Sequence, residues 1–276
     1  MKDLASLRVA ITGGAGGLGK ATALFLADKG ITVYALDINE QLLLQIQHKG
    51  IIPKKVNILN ADSVKAAANE IEQEGGLDAV INFAGIMAMG SLVEEKEATL
   101  QKLMEINLLG MYIVNKYFFP LIHASKGRII NISSEIGWLS PQPFNGFYAA
   151  SKYAVEAYTD SLRREMLFLG IKVIKINPGS FKTQMHSAAE DSYNKMLEKT
   201  TLYKDIIAKM RPLMQNELKH AKDPAVLAAT VYKALIAKRP KLAYKVNTSK
   251  ALSLLSFLPE RVQDFLYKFV FTCILR

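Results

Sequence analysis

The chain has 276 residues, half of them hydrophobic, which is enough for one large α/β domain with a substantial core. Its single cysteine, Cys273, excludes an intrachain disulfide and fits a reducing compartment. The net charge of +10 is unevenly spread: residues 1–194 carry 19 Lys and Arg against 19 Asp and Glu, and residues 195–276 carry 16 against 6. That basic end fits either a solubilising surface or attraction to an anionic one. No nucleic-acid motif accompanies it, so no nucleic-acid partner is expected.

The N-terminus reaches a strand-like run within six residues, leaving no room for a signal peptide. No stretch of about 18 or more apolar residues predicts a transmembrane helix. A cytoplasmic protein is expected. Apolar runs then alternate with helical spacing. Strands are predicted over Leu7–Thr12, Ile31–Asp37, Ile51–Ile58, Asp78–Asn82, Arg128–Ser133, Ile171–Asn177 and Lys241–Val246. Helices are predicted over Gly17–Lys29, Glu40–His48, Ala61–Glu74, Ala98–Ala124, Tyr148–Leu169 and Asp223–Lys238. The alternation predicts a doubly wound, parallel α/β sheet of about seven strands with helices on both faces. Ligands bind beyond the carboxyl ends of such strands.

Between residues 184 and 222 the sheet pattern gives way to a polar helical stretch containing Met185, Met196, Met210 and Met214. These methionines fit ordinary packing or an adaptable substrate lid.

After the first strand comes Thr12-Gly13-Gly14-Ala15-Gly16-Gly17-Leu18-Gly19, then a helix. Glycines let the backbone approach a pyrophosphate, and the helix N-terminus favours the anion. Gly14, Gly16 and Gly19 satisfy G-x-G-x-x-G. The P-loop pattern fails because Ala21 stands where a magnesium-binding hydroxyl belongs. Thr12, Gly13, Gly17 and Gly19 satisfy T-G-x-x-x-G-x-G. Asp37 closes the second strand, where a carboxylate can accept from adenosine ribose hydroxyls and repel a 2′-phosphate. With no Arg or Lys directly after it, NAD is expected over NADP; the plainer reading is a turn aspartate.

Tyr148-Ala149-Ala150-Ser151-Lys152 opens a long helix and puts the phenol and the ammonium on one face. A nearby cation lowers a phenol's pKa. Ser134 ends the fifth strand 14 residues earlier, where it can bind a substrate oxygen. The four histidines, His48, His123, His186 and His220, show no ligand spacing, and no metal is required.

In this order the motifs resemble those of the short-chain dehydrogenase/reductase family, over about residues 5–245. They continue with Asn82-Phe83-Ala84-Gly85, Asn107, and Pro178-Gly179 with Thr183. The resemblance implies a Rossmann-type domain that moves a hydride between a nicotinamide cofactor and an alcohol or ketone. It implies Tyr148 as acid/base, Lys152 as ribose ligand and pKa partner, Ser134 as orienting group, and Asn107 as holder of a relay water. It also implies cofactor contacts at Thr12, Gly13, Gly17, Leu18, Gly19, Asp37, Ile38, Asn57, Ile58, Asn82, Ala84, Gly85, Pro178, Gly179 and Thr183. Two departures stand out: Phe83 replaces an Asn, and Asn57 replaces an Asp beside the adenine. The resemblance further implies a homodimer or homotetramer, with the long helices at its interface.

Residues 251–276 are expected to form a C-terminal amphipathic extension of a domain spanning 1–250. Val262, Phe265, Leu266, Phe269, Val270, Cys273 and Ile274 make one apolar helical stripe flanked by Arg261, Lys268 and Arg276. Such a helix packs on protein or lies in a membrane surface. The extension resembles those of steroid and retinoid dehydrogenases, which implies a hydrophobic secondary alcohol or ketone as substrate. A polar substrate and a non-catalytic NADH sensor are the alternatives.

Overall fold

The computed structural model describes residues 4–274, apart from the side chains of residues 184–188, 217, 218, 273 and 274. The expectations for Met185, for the Cys273 and Ile274 side chains and for Arg276 therefore fall outside the described residues.

Seven parallel strands form one sheet in the order β3-β2-β1-β4-β5-β6-β7. They are β1 (Arg8–Thr12), β2 (Thr32–Asp37), β3 (Ile51–Lys55), β4 (Ala79–Asn82), β5 (Arg128–Ile132), β6 (Lys172–Pro178) and β7 (Ala243–Val246). Helices cover both faces. On one, α1 (Gly17–Asp28) and α9 (Pro224–Ile236) pack on each other and on Val9, Ile11, Ile81, Ile130 and Ile174. On the other, α3 (Ala61–Gln73), α5 (Gly110–Ser125) and α6 (Gly146–Leu167) close over Ala10, Tyr34, Val80, Ile129 and Val173. Burial on both faces explains why the central strands read as unbroken apolar runs. Each fully buried Val or Ile contributes about 1.5–3 kcal/mol.

The strand order reverses between β1 and β4, which opens a crevice above their carboxyl ends. The glycine turn follows β1, and Ser134 follows β5 on the same edge.

Two predicted helices differ from those found. α2 (Glu40–Leu44) stops early, because the chain turns at Ile46 and again where His48 Nδ1 accepts from Gly50 N at 3.0 Å. The single helix expected over 98–124 is instead α4 (Glu97–Met104), a π-turn (Glu105–Leu109) and α5. A β-carbon on Gly110 would lie 2.6 Å from Ile58 Cδ1, so a larger residue there would have to push the Ile58 side chain aside. The extra residue of the π-turn accompanies the turning of Asn107 into the protein.

The segment after β6 forms α7 (Gln184–Lys199) and α8 (Lys204–Lys219). They share a small core in which Tyr193, Met196 and Ile207 are buried, with Met210, Met214, Met89 and Phe144 against them. Met196, Met210 and Met214 thus take part in the ordinary packing of α7 and α8. Glu94 anchors the α7–α8 turn: it accepts from Thr200 Oγ1 at 2.7 Å, Thr201 N at 2.8 Å and Leu202 N at 3.0 Å.

The chain ends in α10 (Lys250–Leu255), α11 (Glu260–Phe269) and a second π-turn (Val270–Ile274). The apolar stripe splits. Leu266 and Val270 are half-buried, whereas Val262, Phe265 and Phe269 are exposed, together with Leu254 and Phe257. Among the described residues no helix is long and apolar enough to cross a membrane.

Candidate active site

The glycine turn is built by close approach. A β-carbon on Gly19 would sit 2.1 Å from the Gly13 carbonyl oxygen, and one on Gly14 would sit 2.9 Å from Ala35 Cα. Gly13 and Gly17 hold φ of +66° and +43°, where side chains are strained. α1 starts at Gly17 with Gly16 before it and no side-chain cap. A cradle of this shape, with a helix N-terminus aimed out of it, fits a dinucleotide pyrophosphate. Thr183 lies over it, 3.6 Å from where a Gly17 β-carbon would be. Thr12 ties the floor together by accepting from Ala84 N at 3.2 Å.

Asp37 reaches this turn. Its Oδ2 accepts from Ala15 N at 3.1 Å and its Oδ1 from Asn39 N at 3.0 Å. The turn-aspartate role is therefore real, and each oxygen keeps a lone pair for a sugar hydroxyl. Ile38 beside it is exposed.

The structure places other expected cofactor residues differently. Asn82 is buried, and its Nδ2 donates to Asn115 Oδ1 at 2.8 Å and Asn131 Oδ1 at 2.9 Å. Asn115 and Asn131 extend this network to Tyr158 and Thr159. The Asn82 side chain is thus turned away from the crevice, and Phe83, Ala84 and Gly85 follow it at the end of β4. Asn57 Oδ1 accepts from Leu59 N at 3.0 Å and keeps a second lone pair, and the Ile58 side chain packs at Gly110. Leu18 packs against the core. Gly179 is obligatory, because a β-carbon there would be 2.1 Å from Asn247 O.

Tyr148, Lys152 and Ser134 come together as their spacing predicts. All three are buried. Lys152 Nζ stands 5.8 Å from the Tyr148 ring centroid and donates to Ile132 O at 3.2 Å. The Ser134 hydroxyl accepts from Ile136 N at 3.3 Å, which caps the 3-10 turn that follows it, and it lies close enough to the phenol to lower its pKa. Asn177 holds the loop by donating to Ser134 O at 3.3 Å. Asn107 is fully buried. It accepts from Ile86 N at 2.8 Å and donates to Ile86 O and Ser151 Oγ, both at 3.0 Å. Its side chain therefore braces the β4 loop against α6.

The electrostatics depart from expectation. Burial pushes the Tyr148 phenol up to about 12; the Ser134 hydroxyl pulls against that and the Glu135 charge adds to it. Burial pulls the Lys152 ammonium down to about 8, opposed by Glu156. In the protein alone, desolvation is the largest influence on both groups.

Around Tyr148 the wall is apolar. Leu103 and Phe147 are buried with it, and Ile86, Met87, Ala88 and Ile136 pack alongside, half-exposed. This wall, Glu135 and the Asn115–Asn131 pair escaped the sequence analysis. A polar residue on the apolar face of α5 was the one available signal, at Asn115.

Residues 8–194 match the family described as short chain dehydrogenase. Human retinol dehydrogenase 16 is 30% identical, covering 93% of this chain and 86% of its own. A 3-ketodihydrosphingosine reductase of Bacteroides thetaiotaomicron is 31% identical, covering 87% of each chain. A short-chain dehydrogenase structure from Streptomyces avermitilis superposes with a TM-score of 0.74 over 96% of both chains at 23% identity, a likeness of fold. With its glycine cradle and its Ser134, Tyr148 and Lys152 in place, the chain belongs to the short-chain dehydrogenase family, whose members are oxidoreductases that use a nicotinamide cofactor.

Proposed function

We propose that the protein transfers a hydride between NAD(H) and a hydrophobic secondary alcohol or its ketone. The apolar wall of Ile86, Met87, Ala88 and Ile136 beside Tyr148 carries this reading, since a sugar would leave its hydroxyls unpaired there. Retinol and 3-ketodihydrosphingosine, named in two relatives, are both hydrophobic. Asp37 at the sugar end favours NAD, because a carboxylate there repels a 2′-phosphate.

Gly13, Gly17, Gly19 and Asp37 would hold the adenosine diphosphate half, and Pro178, Gly179 and Thr183 the nicotinamide half. Bound NAD supplies the hydride acceptor. The chain supplies the rest. Ser134 orients the substrate oxygen, and Tyr148 in its phenolate form takes the hydroxyl proton. Lys152 stabilises that phenolate and binds the ribose. In reduction Tyr148 returns the proton. Against a sensor role stand the intact Ser134, Tyr148 and Lys152.

The test is NADH formation from NAD, and separately NADPH from NADP, across steroid, retinoid, long-chain and sugar alcohols, with Tyr148→Phe beside the wild type. Turnover of apolar alcohols with NAD, lost in the variant, is expected. Preference for sugars overturns the substrate class, and NADH binding without turnover of any alcohol favours the sensor.

Two assembly readings accompany this. A cavity of about 340 Å³ between α5 and α6, lined by Tyr112, Phe119, Tyr158 and Leu162, favours a homodimer through these helices; light scattering at the monomer mass would exclude it. The exposed Val262, Phe265 and Phe269, with Arg261 and Lys268 on the neighbouring helical positions, favour contact with an anionic lipid surface. Sedimentation with phosphatidylserine vesicles, lost in a Phe265→Asp/Phe269→Asp variant, is expected; equal binding by that variant would sink it.

A further inference from the structure

Glu135 follows Ser134 directly and is a buried carboxylate, 4% exposed, that the reaction above does not use. It begins a short 3-10 turn (Glu135–Gly137) that leads the chain out of the site. Its Oε2 accepts from Ser249 N at 2.6 Å, a short, charge-assisted bond. Its Oε1 lies 3.1 Å from where a β-carbon on Gly179 would be. The carboxylate thus sits where three segments meet: the Ser134 loop, the Pro178–Gly179 loop and the start of α10.

The far end of α10 is fastened to the same loop. Ser140 N donates to Ser256 Oγ at 2.8 Å, and Ser256 Oγ donates on to Leu252 O at 2.9 Å. Ser249 caps α10 by accepting from Leu252 N at 3.2 Å. On its other side the loop is tied to α6, where Tyr153 OH donates to Leu139 O at 2.8 Å. Residues 135–140 are therefore gripped between the catalytic helix and α10. The chain divides near residue 250 in sequence but not in contacts.

We propose that Glu135 is a positioning residue. Its carboxylate fastens the loop bearing Ser134 to the N-cap residue of α10, so that α10 sets where Ser134 stands relative to Tyr148. The proposal rests on the roles given above to Tyr148 and Ser134. The charge has a second effect. Among the described residues, the charged groups close to Tyr148 are Lys152 on its own helix and Glu135 on the loop, with Glu156 behind Lys152. The neighbours from α4 and the β4 loop, Leu103, Ile86, Met87 and Ala88, are apolar. The Glu135 charge holds the Tyr148 phenol up, so its removal moves the rising limb of the oxidation rate to lower pH.

The experiment measures kcat, the KM for NAD and the pH profile of alcohol oxidation in Glu135→Ala, Glu135→Gln, Ser249→Ala and Ser249→Pro, each at a temperature where circular dichroism shows it folded. Ser249 has φ of −66°, which proline adopts, so the proline variant removes the N–H without forcing the residue's own backbone. Ser249→Ala keeps the N–H and loses only the cap. Glu135→Ala and Ser249→Pro are expected to lose kcat by about tenfold to a hundredfold with the KM for NAD unchanged. Ser249→Ala stays near wild type. Glu135→Gln, whose amide oxygen still accepts, recovers most of kcat with its rising limb at lower pH. Unchanged kcat in folded Glu135→Ala, an equal loss in Ser249→Ala and Ser249→Pro, or an unmoved limb in Glu135→Gln overturns the proposal. A Tyr148→Phe variant that keeps full activity instead overturns the acid/base reading beneath it.

Discussion

The Gly19 Cα faces the Gly13 carbonyl so closely that a β-carbon would stand 2.1 Å from its oxygen. The two residues close the turn on itself and bring the first N–H groups of α1 to its mouth. Gly19→Ala is expected to force this turn open. One misplaced N–H to a charged phosphate is worth about 1.5–3 kcal/mol, so NADH binding by fluorescence titration should weaken by more than about tenfold. Wild-type affinity in that variant would show that the cradle does not hold the pyrophosphate.

Asp37 is braced by Ala15 N and Asn39 N at the end of β2, so its charge has a fixed place. Asp37→Ala should raise the ratio of kcat/KM for NADP over NAD by at least about tenfold, since opposed like charges cost several kcal/mol. An unchanged ratio would move the choice of cofactor to another residue.

Lys152 predicts an opposition between stability and activity. Its folded pKa of about 8 lies below its ordinary 10.5. A depressed pKa contributes stability above 10.5 that is lost as pH falls through 8. At pH 7 the buried ammonium therefore weighs against folding by about 3 kcal/mol. Lys152→Met, of similar volume, should melt higher than wild type at pH 7 without cofactor, lose that advantage above about pH 10, and fail to turn over. A lower melting temperature at pH 7 would mean that the Ile132 carbonyl contact outweighs desolvation.

Glu94 anchors the α7–α8 turn through bonds that hold its carboxyl down to about 2. A depressed carboxyl keeps its contribution above its ordinary 4.5 and loses it only as pH falls through about 2. Limited proteolysis between residues 199 and 204 should therefore run equally at pH 5 and 7.5 in wild type. In Glu94→Gln it should be several-fold faster, with a raised KM for the alcohol. Slow cleavage in that variant would place the anchor elsewhere.

The sheet, the glycine turn and the Tyr148–Lys152 pair were legible because each is written in local spacing. The period of apolar residues fixes strand or helix, and four residues fix one helical face. What was not legible depends on partners distant in sequence. The π-turn at Glu105–Leu109 interrupts the long helix where Asn107 turns inward to bond Ile86 and Ser151. The Asn82 side chain is taken up by Asn131 on the neighbouring strand β5 and by Asn115 on α5. The Tyr148 phenol stands above its ordinary value and the Lys152 ammonium below its own because both are buried, and burial is a property of the assembled fold. The apolar stripe after Pro259 was legible as a helix, but not which half of it faces outward.

The bonds from α10 to the loop of Ser134 join residues 114 and 116 positions apart. During synthesis Tyr148, Lys152 and the glycine turn all leave the ribosome long before Ser249 and Ser256. The nascent chain can build its cradle early, while the loop that aims the substrate gains its last fastening near the end of translation.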